Sequence, residues 1–141
     1  MIGIDTNIIL NVLRREDPTN HKNGSLKFFK LIQQKNLELA VSVITLTELF
    51  RKPFRDRSDE EKEKMDSFLH FIKAKPIPIN SDPAIDAARL IEEKRVNFAD
   101  ALIASSLSFA GIKTFITRNI EDYKDTGLEV LTPEQFMERA S

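Results

Sequence analysis

The sequence predicts an α/β fold of three layers, α/β/α, around a central, mainly parallel sheet of four to five strands. Three observations carry that expectation. Short apolar runs of strand length alternate with longer segments of helical period. The links between them are short, which favours right-handed crossovers onto one sheet. A chain of 141 residues is one domain with one sizeable core, taken as residues 1–141.

The elements follow in order. Ile2 and Ile4 read as a buried strand that Asp5 closes. Thr6-Asn7 come next, then Ile8, Ile9, Val12 and Leu13 at helical spacing. A carboxylate therefore stands where a strand hands over to a helix, the edge at which open α/β sheets bind ligands. The plainest role for Asp5 or Thr6 there is a helix cap. Arg14 to Pro18 form a turn. Residues from about 23 to 35 read as a helix with Phe28, Leu31 and Ile32 on one face and Lys22, Lys27 and Lys30 on a basic side that solubility alone explains. Residues 37–43 form the second strand, and Ser42 can cap the helix ITLTELFRKPF, which Pro53 limits or bends. Glu48 stands in that helix among Leu46, Leu49 and Phe50, an unusual setting for a surface glutamate.

Ser58 and Glu61 make a capping box before a helix packed through Met65, Phe68, Leu69 and Ile72, its charge run a solvated face. Residues 76–79 give a third strand, placed at an edge by its prolines. Ser81-Asp82-Pro83 opens a helix with a predicted buried stripe of Ala84, Ala87, Ala88 and Ile91. Asn97 caps NFADALIASSLSFAG, apolar nearly all round and hence central, with Asp100 as its one charge. Gly111 ends it. Residues 113–117 make the fourth strand, 118–123 a polar loop and 128–131 the fifth strand, and Thr132-Pro133 opens a last helix bearing Phe136 and Met137.

Composition narrows the chemistry. The chain is 41% hydrophobic and 30% charged, as globular proteins are. No apolar run approaches the ~20 residues that span a bilayer, and no basic-then-apolar leader opens the chain, so no membrane association and a cytoplasmic protein are expected. The absence of cysteine excludes disulfides, thiolate metal sites and a cysteine nucleophile. A net charge of −1 confines any nucleic-acid surface to a local patch. His21 and His70 are far apart and lack a partner at i+4, so they read as ordinary histidines rather than zinc ligands.

Acids recur at strand ends and helix starts: Asp5, Glu48, Asp100, and the cluster Asn119, Glu121 and Asp122. In a parallel sheet these positions share one edge and can converge. Carboxylates a few ångströms apart raise one another's pKa and are tolerated mainly beside a cation. Oxygen donors without cysteine or a well-placed histidine favour Mg²⁺ or Mn²⁺. Such a site suits phosphodiester hydrolysis by a metal-activated water.

This constellation resembles the PIN-domain family, and within it the small VapC-type toxins. The matching residues are the apolar run into Asp5-Thr6-Asn7, then Ser42 followed by Glu48-Leu49, then Asp100-Ala101-Leu102-Ile103-Ala104, and finally Thr117-Arg118-Asn119 with Asp122-Tyr123. The likeness covers almost the whole chain in the family's order and spacing. It implies a Mg²⁺- or Mn²⁺-dependent ribonuclease, a cognate antitoxin and a homodimer. Carried over by position, Asp5, Glu48 and Asp100 are the acidic metal-site residues. Asn119 aligns with a position that is often a fourth acid, so Asp122 is the alternative source of that charge. Thr6 or Asn7, with Thr117, would orient ligands by hydrogen bonds.

In the mechanism expected, Asp5 and Asp100 hold the metal, and Glu48 binds it too or orients the attacking water. Products with 5′-phosphate and 3′-hydroxyl ends follow, because a metal-activated water needs no ribose 2′-OH. Arg14, Arg15, Arg51, Lys52, Arg55 and Arg118 are candidates for RNA phosphate contacts, and Tyr123 or an exposed phenylalanine for base stacking. An aspartyl phosphatase fits less well, since position 7 is asparagine where a second acid is needed. A signalling receiver domain lacks its paired acids. The remaining alternative is a non-catalytic PIN-like module that binds RNA or protein.

Overall fold

The structure, a computed structural model, describes residues 1–140. Its strands are β1 (Ile2–Ile4), β2 (Leu39–Ser42), β3 (Lys75–Ile77), β4 (Thr114–Ile116) and β5 (Glu129–Leu131). The helices are α1 (Thr6–Leu13), α2 (Lys22–Gln34), α3 (Val43–Arg55), α4 (Asp59–Phe71), α5 (Ser81–Lys94), α6 (Phe98–Phe109), α7 (Ile120–Tyr123) and α8 (Pro133–Ala140). The five strands make one sheet in the order β3-β2-β1-β4-β5, every neighbouring pair parallel.

That order positions the site. The chain winds outward from β1 through β2 to β3, then crosses back to lay β4 and β5 on the other side of β1. The reversal falls between β1 and β4, the switch point where open α/β sheets leave a crevice. Gly3 is in register with Phe115 and Ile4 with Ile116, so Asp5 and Thr117 leave the sheet side by side. The Asp5 N–H still donates to the Ile116 carbonyl at 2.9 Å, which holds the first residue of the exit in the ladder.

Alternation along the strands divides the core in two. Ile4, Leu39, Val41 and Ile116 face α1, α2 and α4, where Phe28, Phe29, Ile32 and Met65 are buried. Phe28 meets Phe29 and Phe136 edge-on, and Phe29 meets Phe68 in the same way. Ala40, Ile77 and Phe115 face the opposite way, onto Ala101, Ile103, Ala104 and Leu107 of α6. The sheet is thus covered on both faces.

Local signals in the sequence are realised. Ser42 accepts the Ile44 N–H at 3.2 Å and Ser58 the Glu61 N–H at 3.1 Å, each starting its helix. Thr132 and Gln135 exchange bonds of 2.9 and 3.1 Å in a full capping box. β3 is an edge strand, as its proline requires. Pro53 is buried within α3, which ends just beyond it at Arg55.

Two expectations need correction. α5 buries Pro83, Ala87 and Leu90, while Ala84 and Ala88 are exposed. The Ser105 hydroxyl of α6 donates to Asp86 at 2.9 Å and helps fix the rotation of α5, turning the alanines out. The stretch after β4 is not all loop: α7 forms there, and Tyr123 becomes 1% exposed.

Gly3 marks how closely α6 lies on β1. A Cβ there would stand 2.9 Å from Leu107 Cδ1 and 3.2 Å from Phe115 Cδ1, both in buried side chains. Gly3→Ala is expected to lower stability by ~1–3 kcal/mol through overpacking. Urea denaturation followed by circular dichroism measures it.

Candidate functional site

The site draws on the ends of β1 and β4, the first turn of α6 and the middle of α3. Asp5 ends β1 and is 5% exposed. Its Oδ1 accepts the Thr6 N–H at 2.8 Å as the cap of α1, and its Oδ2 accepts the Thr117 hydroxyl at 2.7 Å. The capping role and the strand-end position are therefore both real. Thr117 also accepts the Asn119 N–H at 3.0 Å, so its hydrogen is committed to Asp5. The Asn7 amide lies 3.5 Å from both Asp5 Oδ2 and Thr117 Oγ1, at the outer limit of a hydrogen bond.

Glu48 comes from the middle of α3, and its Oε1 accepts the Thr6 hydroxyl at 2.6 Å. Asp100 lies in the first turn of α6 and is half-buried, with its Oδ1 accepting the Tyr123 hydroxyl at 2.8 Å. Tyr123 was a candidate for stacking a base. It is buried instead, and its role is to hold an acid in place. The only tyrosine of the chain, set in a polar stretch, carried a usable signal: a buried tyrosine seeks a partner for its hydroxyl.

The three acids act on one another through their charges. Burial, more than anything else, raises the Asp5 pKa to about 6. The bonds from Thr117 and Thr6 pull it down, and the charges of Glu48 and Asp100 add to the rise. Burial also raises Asp100, opposed by Tyr123 and Asn97 and assisted by the charge of Asp122. The Tyr123 hydroxyl is pushed far above its ordinary range by burial and by Asp5, Asp100 and Glu48, so it remains a donor.

The fourth position is split between two residues. Asn119 is exposed, and its backbone serves Thr117. Asp122 is exposed on α7 and, with Asn97, lines a polar cleft of about 280 Å³ beside Lys94, Arg95 and Asp125. Its charge is felt at Asp100. A larger hollow of about 370 Å³ lies between α2 and α8 and is lined by none of the acids.

Among the described residues, no group of three acidic or imidazole side chains is drawn together tightly enough to hold a metal ion as it stands. Like charges separate, and Thr6 and Tyr123 hold Glu48 and Asp100 by their own bonds. The donor chemistry nevertheless fits a hard divalent cation. The donors are carboxylate oxygens, and the charges acting on Asp5 are both negative.

Of the basic candidates, Arg14, Arg15 and Arg51 are exposed, Arg55 is exposed and pairs with Asp56 at 3.6 Å, and Lys52 is paired with Asp56 and Glu61 at 2.9 and 3.0 Å. Arg118 requires correction. Its side chain is 8% exposed and is bonded to Asn11, Ser25, the His21 carbonyl and Glu134, leaving no tip to grip a phosphate.

The PIN-domain family profile matches residues 2–127. No curated protein matches the chain. Among solved structures, the fold is similar to VapBC2 from Rickettsia felis bound to a promoter DNA fragment, with a TM-score of 0.74 and 24% identity over 94% of this chain and 98% of that one. A toxin-antitoxin complex from Klebsiella pneumoniae gives 0.68 and 20% over 94% and 98%. FitAcB from Neisseria gonorrhoeae gives 0.69 and 18% over 95% and 99%. Among the described residues, no helix is long and apolar enough to cross a membrane.

The Asp5 shift implies a pH-dependent stability. Its folded pKa of about 6 exceeds the ordinary 3.8, so the folded state binds the proton more tightly than the unfolded one. The contribution is fully present below the ordinary value and is lost as pH rises to about 6. Roughly 3 kcal/mol of stability is expected to disappear over that range. Urea titrations at several pH values should show the decline in the wild type and a much smaller one in Asp5→Asn.

Proposed function

Because the chain belongs to the PIN-domain family of nucleases, we propose that it is a divalent-metal-dependent ribonuclease hydrolysing phosphodiester bonds in RNA, and the toxin of a toxin–antitoxin pair. The observation that carries the reading is a buried carboxylate, Asp5, whose charged neighbours are acids from two further elements. Such an arrangement is unfavourable on its own and becomes favourable around a cation.

Asp5, Glu48 and Asp100 are the residues that would hold Mg²⁺ or Mn²⁺, with Asp122 rather than Asn119 as the fourth acid. When bound, the ion supplies a hydroxide-like water at neutral pH and a counter-charge for the scissile phosphate. The protein's own groups do the positioning. Thr117 and the Thr6 amide keep both oxygens of Asp5 oriented at 2.7 and 2.8 Å. Thr6 holds one oxygen of Glu48, leaving that side chain to orient an incoming water. Tyr123, protonated throughout, steadies Asp100. Because water is the nucleophile, the products carry 5′-phosphate and 3′-hydroxyl ends. Exposed Arg14, Arg15, Arg51 and Arg55 remain the candidates for phosphate contacts.

The solved structures of like fold include toxin–antitoxin complexes, which supports a cognate antitoxin as partner. A homodimer and a cytoplasmic setting belong to the same reading. The alternative, a non-catalytic module that binds RNA or protein, draws on the neutral Asn119 and on acids that stand apart.

Two measurements separate these readings. Cleavage of single-stranded RNA should require Mg²⁺ or Mn²⁺, stop in EDTA, and fall in Asp5→Asn and Asp100→Asn by more than the ~10–100-fold typical of losing a supporting residue. Cleavage that persists in EDTA would count against the mechanism. Mn²⁺ at a hundred times its Kd should add ~2.7 kcal/mol of stability to the wild type and far less to Asp5→Asn. If neither protein responds in a thermal melt, the binding-module reading takes its place.

A further inference from the structure

We propose that Arg118 is a positioning residue for the acidic edge, tying the exit of β4 to three helices so that Thr117 and Asn7 stay on the Asp5 carboxylate, without touching nucleic acid. The kinetic consequence rests on the ribonuclease reading; the structural one does not.

Every nitrogen of the guanidinium is used. Nε donates to Asn11 Oδ1 at 3.1 Å on α1. Nη2 donates to Ser25 Oγ at 3.1 Å on α2 and to the His21 carbonyl at 3.2 Å. Nη1 pairs with Glu134 of α8. Ser25 closes the circuit by donating to Asn11 at 3.1 Å. An arginine serving as a phosphate grip would keep its tip in solvent; this one is 8% exposed.

The same residue is held at its backbone. Its N–H donates to Asn7 Oδ1 at 3.3 Å, and the Asn7 amide reaches Asp5 and Thr117. Asn7 and Asn11 stand one turn apart on α1, where side chains share a face. One asparagine thus holds the main chain of Arg118 and the other its side chain. The segment Thr117–Asn119 is clamped from both ends of a single residue, and the Asn119 N–H completes it on Thr117. Gly24 shows how tightly α2 closes over the pair. A Cβ there would stand 2.7 Å from Glu134 Oε2 and 3.2 Å from Arg118 Nη2.

The test uses Arg118→Gln and Glu134→Gln in the full chain, with amide hydrogen exchange read by NMR on the metal-free protein. In Arg118→Gln, the amides of residues 118 and 119 should exchange at least ~10-fold faster, while those of Ile4 and Phe115 keep their rates. On a fluorogenic single-stranded RNA oligonucleotide with Mn²⁺, kcat should fall ~10-fold or more with KM within ~3-fold, the signature of misplaced rather than missing contacts. Arg118→Lys should not rescue, since an ammonium cannot span four partners. Glu134→Gln should act in the same direction and more weakly; it also decides the matter if Arg118→Gln does not fold. A raised KM at unchanged kcat would make Arg118 an RNA contact and overturn the proposal. So would exchange that is unaltered, or that quickens evenly across the sheet. Should the wild type fail to cleave RNA, the proposed function falls, and the exchange rates still decide the role of Arg118.

Discussion

The molecule is organised by the cost of placing a carboxylate at the centre of a parallel sheet. Asp5 is nearly as buried as the strand it ends. Two hydrogen bonds, from Thr117 and the Thr6 amide, offset part of that cost, and two neighbouring acids increase it. Sheet order and register bring β4 beside β1 at the residue where the carboxylate needs a donor. The cap of α1, the hydroxyl after β4 and the hold of Thr6 on Glu48 all serve the same few ångströms of edge.

Much of this was legible in the chain. Alternating runs announced the sheet and its layers, and the capping residues Ser42 and Ser58 announced where helices begin. Asp5, Glu48 and Asp100 stood out because each is an acid in an apolar setting, and apolar settings are costly for charge. What stayed hidden depends on how elements meet. The buried face of α5 is set partly by a hydrogen bond from Ser105 to Asp86, nineteen positions earlier in the chain. Periodicity left two faces of α5 open, since Pro83, Ala87 and Leu90 are spaced helically as well. The short α7 escaped because a run of polar residues reads as loop, although its last residue is the most buried of the stretch.

Arg118 and Tyr123 illustrate a common inversion. Cationic and aromatic side chains near a proposed nucleic-acid site invite assignment to the ligand. Here both turn inward and hold other protein groups, one an acid and the other three helices. The arginine that matters to geometry is the one whose three nitrogens all bond to protein groups, and those left for a ligand are exposed. Precision and contact are thereby assigned to different residues.

The pairing of β1 with β4 also bears on how the protein is made. Asp5 leaves the ribosome well before the hydroxyl that stabilises it, which lies 112 positions later. During synthesis the opening strand can lie beside β2 but has its other side bare, with its acid unsupported. Contacts of such wide sequence separation form late and slowly. A polypeptide that stops short of Thr117 lacks the donor on which the buried carboxylate of Asp5 depends.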